Sequence, residues 1–146
     1  SENRRVLRFY GEISAGLDLD HHSRSRGDLV SVRFRFKHLA GTRYVIGTMG
    51  DSRVPVRLVH EEGTIYLCGR NTRETCGPLI SGWNTISIET GGTTTTASLN
   101  GAAAKQAKHH PRGTWIYLGQ GYREGTYPVD SAFEIDVSTV ATKVQK

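Results

Sequence analysis

Arg33, Arg35 and Lys37 alternate with Phe34 and Phe36 inside the run Leu29 to Lys37. In an extended strand, alternate residues share a face and stand roughly 7 Å apart. The three cations therefore form a row, with Val32, Phe34 and Phe36 on the opposite side. Guanidinium forks fit carboxylate and sulfate groups in bidentate geometry, so such a row suits an anionic ligand. Arg53 and Arg57 alternate with Val54, Val56 and Leu58 in a second run. They would extend the row if both strands belonged to one sheet. The plain alternative is the solvated side of an ordinary sheet.

A second group follows Trp115 and Tyr117, where Gly121, Tyr122, Arg123 and Tyr127 cluster. Tyrosine rings stack on sugar faces, and an arginine among them holds a carboxylate or hydroxyl. Core packing is the competing role for Trp115 and Tyr117. Cys68 and Cys76 flank a polar segment whose length suits a disulfide, worth roughly 2–3 kcal/mol if unstrained. A bridge would imply an oxidising compartment; two free thiols on neighbouring strands are the alternative. Arg26-Gly27-Asp28 is the integrin-recognition tripeptide, set in a polar loop, with chance occurrence as the simpler account. His21-His22 and His109-His110 come as pairs, with His38 and His60 alone, and none has zinc-type spacing. No Ser/His/Asp order or phosphate-cradling loop stands out. Nucleic acid is not expected as a partner, because the basic residues alternate within strands without a recognised motif.

The elements that must position these groups are strands. Ser81 to Glu89 and Thr93 to Leu99 alternate with period two, and Asn100-Gly101 is a strong hairpin signal. Trp115 to Gly119 and Phe133 to Val137 follow. Upstream, Val6 to Tyr10, Leu17 to Leu19, Tyr44 to Met49 and Thr64 to Cys68 read the same way. Pro55 points to an edge strand or a bulge. Ala102 to Lys108 has the one helix-friendly composition and reads as a connector or single turn. With 146 residues, 36% of them hydrophobic, the chain forms one domain, residues 1–146, around one core. The net charge of +5 favours anionic partners. No segment approaches the roughly 18 apolar residues of a membrane span. There is no signal peptide at Ser1, and the opening residues look cut from a longer precursor. Short strands at this spacing predict an all-β, two-sheet antiparallel sandwich or jelly roll.

The order of the strands resembles the laminin G-like branch of the concanavalin A-like lectin superfamily. Gly27 to Phe36 is similar to its early strand ending in Phe-Arg-Phe, and Gly82 to Ile88 to its Trp-containing strand. Ala97-Ser98-Leu99-Asn100-Gly101 is similar to its hairpin, Ile116-Tyr117-Leu118-Gly119 to its Ile-Tyr-Leu-Gly strand, and Phe133 to Val137 to its closing strand. The resemblance covers nearly the whole chain and implies a jelly roll that recognises ligands on a sheet face or rim. It departs at Ser131-Ala132, where that branch carries a Gly-Cys pair. It also implies a rim calcium, for which Asp51 is the candidate ligand and Glu124 the nearest acidic companion. Glu134-x-Asp136 resembles the start of the signature of retaining glycoside hydrolases with this fold, but Ser138-Thr139 stands where a further Glu is needed. Both acids then face water.

These observations lead to the expectation of a non-catalytic recognition module, not an enzyme, in an extracellular, virion-surface or cell-surface setting. Its expected partner is a glycan, with sulfated or sialylated ones favoured by charge. The expected ligand-binding residues are Arg33, Arg35, Lys37, Arg53, Arg57, Tyr122, Arg123 and Tyr127. The alternatives are a receptor-binding laminin G-like module and a structural attachment piece of a viral or phage assembly, which would form homo-oligomers.

Overall fold

A computed structural model describes residues 6–10, 16–18, 29–50, 55–91, 93–108, 116–119 and 130–145. The regular elements among the described residues are strands: β1 (Val6–Tyr10), β2 (Gly16–Asp18), β3 (Leu29–Ala40), β4 (Arg43–Gly50), β5 (Pro55–Glu61), β6 (Thr64–Cys68), β7 (Arg73–Pro78), β8 (Trp83–Gly91), β9 (Thr94–Leu99), β10 (Lys105–Lys108), β11 (Ile116–Gly119) and β12 (Ala132–Gln145). They form two six-stranded antiparallel sheets. The back sheet has the order β1-β12-β3-β8-β9-β10, and the front sheet β2-β11-β4-β5-β6-β7. The expected two-layer jelly-roll sandwich is thus the observed architecture.

The alternation in the sequence builds the core. Val32, Phe34 and Phe36 of β3 are buried, facing Tyr44, Leu58, Ile65 and Leu67 of the front sheet across one continuous cluster. Phe133 ties the end of that cluster together, with ring centroids 4.8 Å from Phe9, 5.5 Å from Phe36 and 4.9 Å from Tyr44. Phe34 and Phe36 are fully buried, and Arg33 on the reverse face is exposed.

Strict alternation is broken once in β4. Val45 pairs with Val59 and Gly47 with Leu58, so the extra residue, Ile46, makes a β-bulge. Tyr44, Ile46 and Met49 join the core, whereas Val45 and Thr48 turn outward, three positions apart. Gly47 is a glycine for a local reason. A Cβ there would lie 3.0 Å from the Tyr117 carbonyl oxygen and 3.3 Å from Leu118 Cδ2 on β11. Pro55 is neither on an edge nor in a bulge; it is the first residue of β5, where its missing N–H costs no ladder bond, and β5 lies inside the sheet.

Two elements differ from expectation. Lys105 to Lys108 is a strand, not a connector or turn: it pairs with β9 and buries Ala107, because the Asn100-Gly101 hairpin returns the chain along a waiting edge. The segment between the cysteines contains β7, which pairs with β6 through a second bulge. That geometry rules out the disulfide. Cys68 stands opposite Arg57 and Arg73 on the outer face, while Cys76 turns into the core, and both are free thiols.

The hairpin turn also anchors a loop. Asn100, at φ +52°, accepts the Thr85 N–H through Oδ1 at 2.8 Å and donates through Nδ2 to Asn84 Oδ1 at 2.8 Å. Asn84 in turn accepts the Ile80 N–H and donates to the Ile80 and Gly82 carbonyls.

One end of the core is polar. His38, Tyr44 and His60 stack, with Tyr44 and His60 ring centroids 4.5 Å apart and His38 and His60 4.3 Å apart. The Tyr44 hydroxyl lies 2.7 Å from His38 Nδ1, and His60 Nε2 accepts the Gly63 N–H at 3.0 Å. His60 Nδ1 therefore carries the proton of a neutral ring, buried without a partner among the described residues. Burial first, and then the neighbouring His38, push the His60 pKa down to about 4; burial lowers His38 as well. Nearby Glu61 opposes this weakly, and Tyr44, raised by burial, stays neutral.

Three outcomes are expected. Phe36→Ala should lower the unfolding free energy by about 3–5 kcal/mol in urea titrations, the cost of a buried cavity. Because the folded-state pKa of His60 lies below its unfolded value of 6.5, the unfolded chain takes up the proton first. Stability should be full above about pH 6.5 and decline as pH falls toward 4, with a shallower decline in His60→Gln. Maleimide should modify Cys68 in the native protein but Cys76, 5% exposed and pushed up to about 11 by burial, only after denaturation; a mass shift of two labels under native conditions would contradict this.

Candidate functional site

The sandwich presents two outer faces, and the expected binding residues are divided between them. β3 lies in the back sheet and β5 in the front sheet, so Arg57 cannot extend the row of Arg33, Arg35 and Lys37. Arg53, Asp51, Tyr122, Arg123, Tyr127 and Glu124 fall outside the described residues, as do Arg26 to Asp28, the two histidine pairs and Trp115. Among the described residues no group of three His, Cys, Asp or Glu side chains is placed to hold a metal ion.

On the back face the cations serve the fold. Arg35 Nη1 lies 3.4 Å from Asp136 Oδ2, and its guanidinium sits 5.0 Å from the Trp83 ring centroid. Lys37 Nζ lies 5.8 Å over the same ring. Arg8 on β1 holds Glu134 at 2.9 Å. Asp136 is fully buried and Glu134 nearly so, which corrects the expectation that both face water: a carboxylate removed from water needs a paired cation, and β1 and β3 supply it. Beside them, Ser31, Arg33, Ser87, Glu89, Thr96 and Ser98 line a shallow groove of about 370 Å³.

The front face is different in kind. Tyr117 on β11 pairs with Thr48, Thr48 with Arg57, Arg57 with Cys68 and Cys68 with Arg73. Directly paired residues share a face, so these five side chains form one row across the sheet. The inward neighbours Leu118, Met49, Val56, Leu58 and Leu67 are fully buried and fix the direction of the row. Below it, Val45 and Val59 are buried yet outside the core cluster, and they form an apolar floor. Tyr66 stands opposite Val59, with the Arg73 guanidinium 3.9 Å above its ring. Glu61 accepts from Arg73 and lies 3.6 Å from Arg43 Nε. The Cys68 thiol records the local field: burial raises its pKa, while Arg73, Arg43 and Arg57 all pull it down. Three guanidinium groups therefore converge on one patch.

This arrangement has the parts for proton transfer on an anionic substrate. A phenol at one end of the row and a guanidinium two strands away flank a hydroxyl, Thr48, over an apolar floor. Strand spacing puts the Tyr117 and Arg57 backbones about 10 Å apart, room for one pyranose ring between their side chains. On this face Arg57, Tyr117 and Cys68 were singled out from sequence, Cys68 for a disulfide, whereas Thr48, Tyr66, Arg43 and Arg73 were not. The alternation of Arg73 with Thr75 was the available signal, hidden in a segment read as a loop.

The sequence matches no protein-family profile and no curated protein. Solved structures do match. An alginate lyase of polysaccharide lyase family 7, AlgAT5, superposes with a TM-score of 0.64 at 13% identity over 99% of this chain and 79% of that one. The alginate lyase AlyC3 gives 0.69 at 8% identity over 98% and 75%, and an Alteromonas sp. 272 alginate lyase gives 0.61 at 11% over 97% and 88%. AlyC3 has also been solved with dimannuronate. The likeness establishes the fold as a concanavalin A-like jelly roll; the laminin G-like branch gains no support. It also corrects the expectation of a module that binds without bond-breaking, together with its receptor-binding and assembly-piece alternatives, because the solved structures that superpose on it here are alginate lyases.

Proposed function

We propose that the protein is a polysaccharide lyase that cleaves a uronate polymer of the alginate type on its front face. The carrying observation is the Tyr117–Thr48–Arg57 row on the outer side of the front sheet, in a fold shared with alginate lyases. A uronate carries a weakly acidic proton on the carbon beside its carboxylate. Removing it builds negative charge on a group that is already anionic. Arg57 pairs with that carboxylate and stabilises the developing charge. Tyr117 takes the proton and returns one to the departing glycosidic oxygen. The electron pair of the C–H bond becomes a carbon–carbon double bond as the C–O bond breaks, so no water enters the products. Thr48 lies between the two groups and offers a hydroxyl to the ring. The positive net charge favours an anionic chain, and a polymeric substrate fits an extracellular or surface location.

The double bond conjugates with the carboxylate and absorbs in the ultraviolet, which gives a continuous assay. With alginate, Tyr117→Phe should lower kcat by about 10²–10⁴-fold. Arg57→Ala should lower kcat/KM by about 10²–10³-fold. Both variants should still fold and unfold cooperatively, because neither side chain belongs to the core cluster. Absence of ultraviolet-absorbing product from wild-type protein, or full activity in Tyr117→Phe, would overturn the proposal.

A further inference from the structure

We infer that Arg73, stacked on Tyr66, is a second carboxylate-binding position that holds the polymer two sugars away from the site of cleavage. The inference rests on the lyase reading and concerns a different part of the face. Arg57 and Arg73 occupy the same row with one strand, β6, between them. Their backbones are therefore about 10 Å apart. Each pyranose of an extended chain advances by about the spacing of one strand. A polymer lying across the strands then brings carboxylates two residues apart into register with the two guanidiniums. Tyr117, at the other end of the row, completes a track that runs from β11 to β7.

The position is prepared before any ligand arrives. The Arg73 guanidinium carbon lies 3.9 Å from the Tyr66 ring centroid, and Glu61 accepts a hydrogen bond from the same group, so ring and carboxylate together hold it in place. A stacked, preoriented fork loses less freedom when it closes on a carboxylate than a free lysine does. Glu61 does not neutralise the patch, because Arg43 shares it. One carboxylate between two guanidiniums leaves positive charge over. Arg73 also stays half-exposed, with a side-chain exposure of 53%, so its outer edge is open to a ligand. It is a substrate-positioning residue and takes no part in proton transfer.

Two measurements test this. In the first, kcat/KM is determined for polymeric alginate and for its dimer, whose two carboxylates are on adjacent residues and so cannot engage Arg57 and Arg73 together. In Arg73→Gln the polymer-to-dimer ratio should fall about tenfold, the size of one lost charge-assisted hydrogen bond. A fold defect would lower both substrates alike. In the second, retention is measured in native gels cast with sodium alginate, in a Tyr117→Phe background that turns the polymer over too slowly to clear it during the run. Adding Arg73→Gln should weaken the apparent Kd about tenfold, and Arg73→Lys should recover part of it. An unchanged Kd and an unchanged ratio would overturn the inference while leaving the cleavage site standing. Wild-type protein that neither retains on alginate nor yields unsaturated product would overturn the lyase reading and this inference with it.

Discussion

One extra residue in β4 decides what the front face presents. A strand that alternates without interruption cannot direct both Val45 and Thr48 outward, since they are an odd number of positions apart. The bulge at Ile46 resets the phase. Ile46 and Gly47 both fall on the core side, Val45 and Thr48 both turn out, and the outer row gains its hydroxyl. The same turn of chain calls for a residue without a side chain at Gly47, where β11 comes within 3.0 Å of a Cβ position. Packing inside the sandwich thereby sets the place of Tyr117 outside it, through a steric fit between Gly47 and the β11 backbone.

The two outer faces show that a cation's neighbours, more than its sequence pattern, determine its use. Arg35 and Lys37 sit in a perfect alternating run, yet a buried aspartate and a tryptophan ring engage them. Removing Asp136 from water is costly, and Arg35 offsets that cost. On the front face the balance is reversed. Arg43, Arg57 and Arg73 gather around a thiol, and Arg43 and Arg73 share one glutamate, Glu61. Both faces derive from strands of similar composition; long-range pairing sets the difference.

That distinction marks the limit of what the sequence disclosed. Alternation in Val32 to Lys37 was enough to assign Phe34 and Phe36 to the core, and Asn100-Gly101 to place the hairpin, because both are local effects. The membership of β5 in the front sheet was not legible, since pairing between distant strands leaves no local trace. β7 and β10 were missed because edge strands carry polar residues on both sides, which hides the period-two signal. The lyase reading proposed above was not reached from sequence, and the reason is chemical. An elimination needs a group to move a proton and a cation to hold a carboxylate, and in the proposed mechanism Tyr117 and Arg57 fill those two roles, which call for no nucleophile, metal cluster or paired acid. Those residue types look like the equipment of a binding surface. Pairing across strands puts Tyr117 and Arg57 on one face, which supports the lyase reading where residue identity alone did not.

The Asn100-Gly101 turn has a consequence for how the molecule ages. Asparagine followed by glycine is prone to deamidation, since the glycine nitrogen meets little obstruction when it attacks the side-chain carbonyl carbon. Here Thr85 holds the Asn100 amide by its oxygen and Asn84 by its nitrogen, each at 2.8 Å. The amide cannot swing toward Gly101 unless both bonds break, and they break together only when the β8–β9 hairpin opens. Isoaspartate at this site would therefore accumulate in proportion to time spent open, so its level in a stored sample would log past unfolding rather than elapsed time.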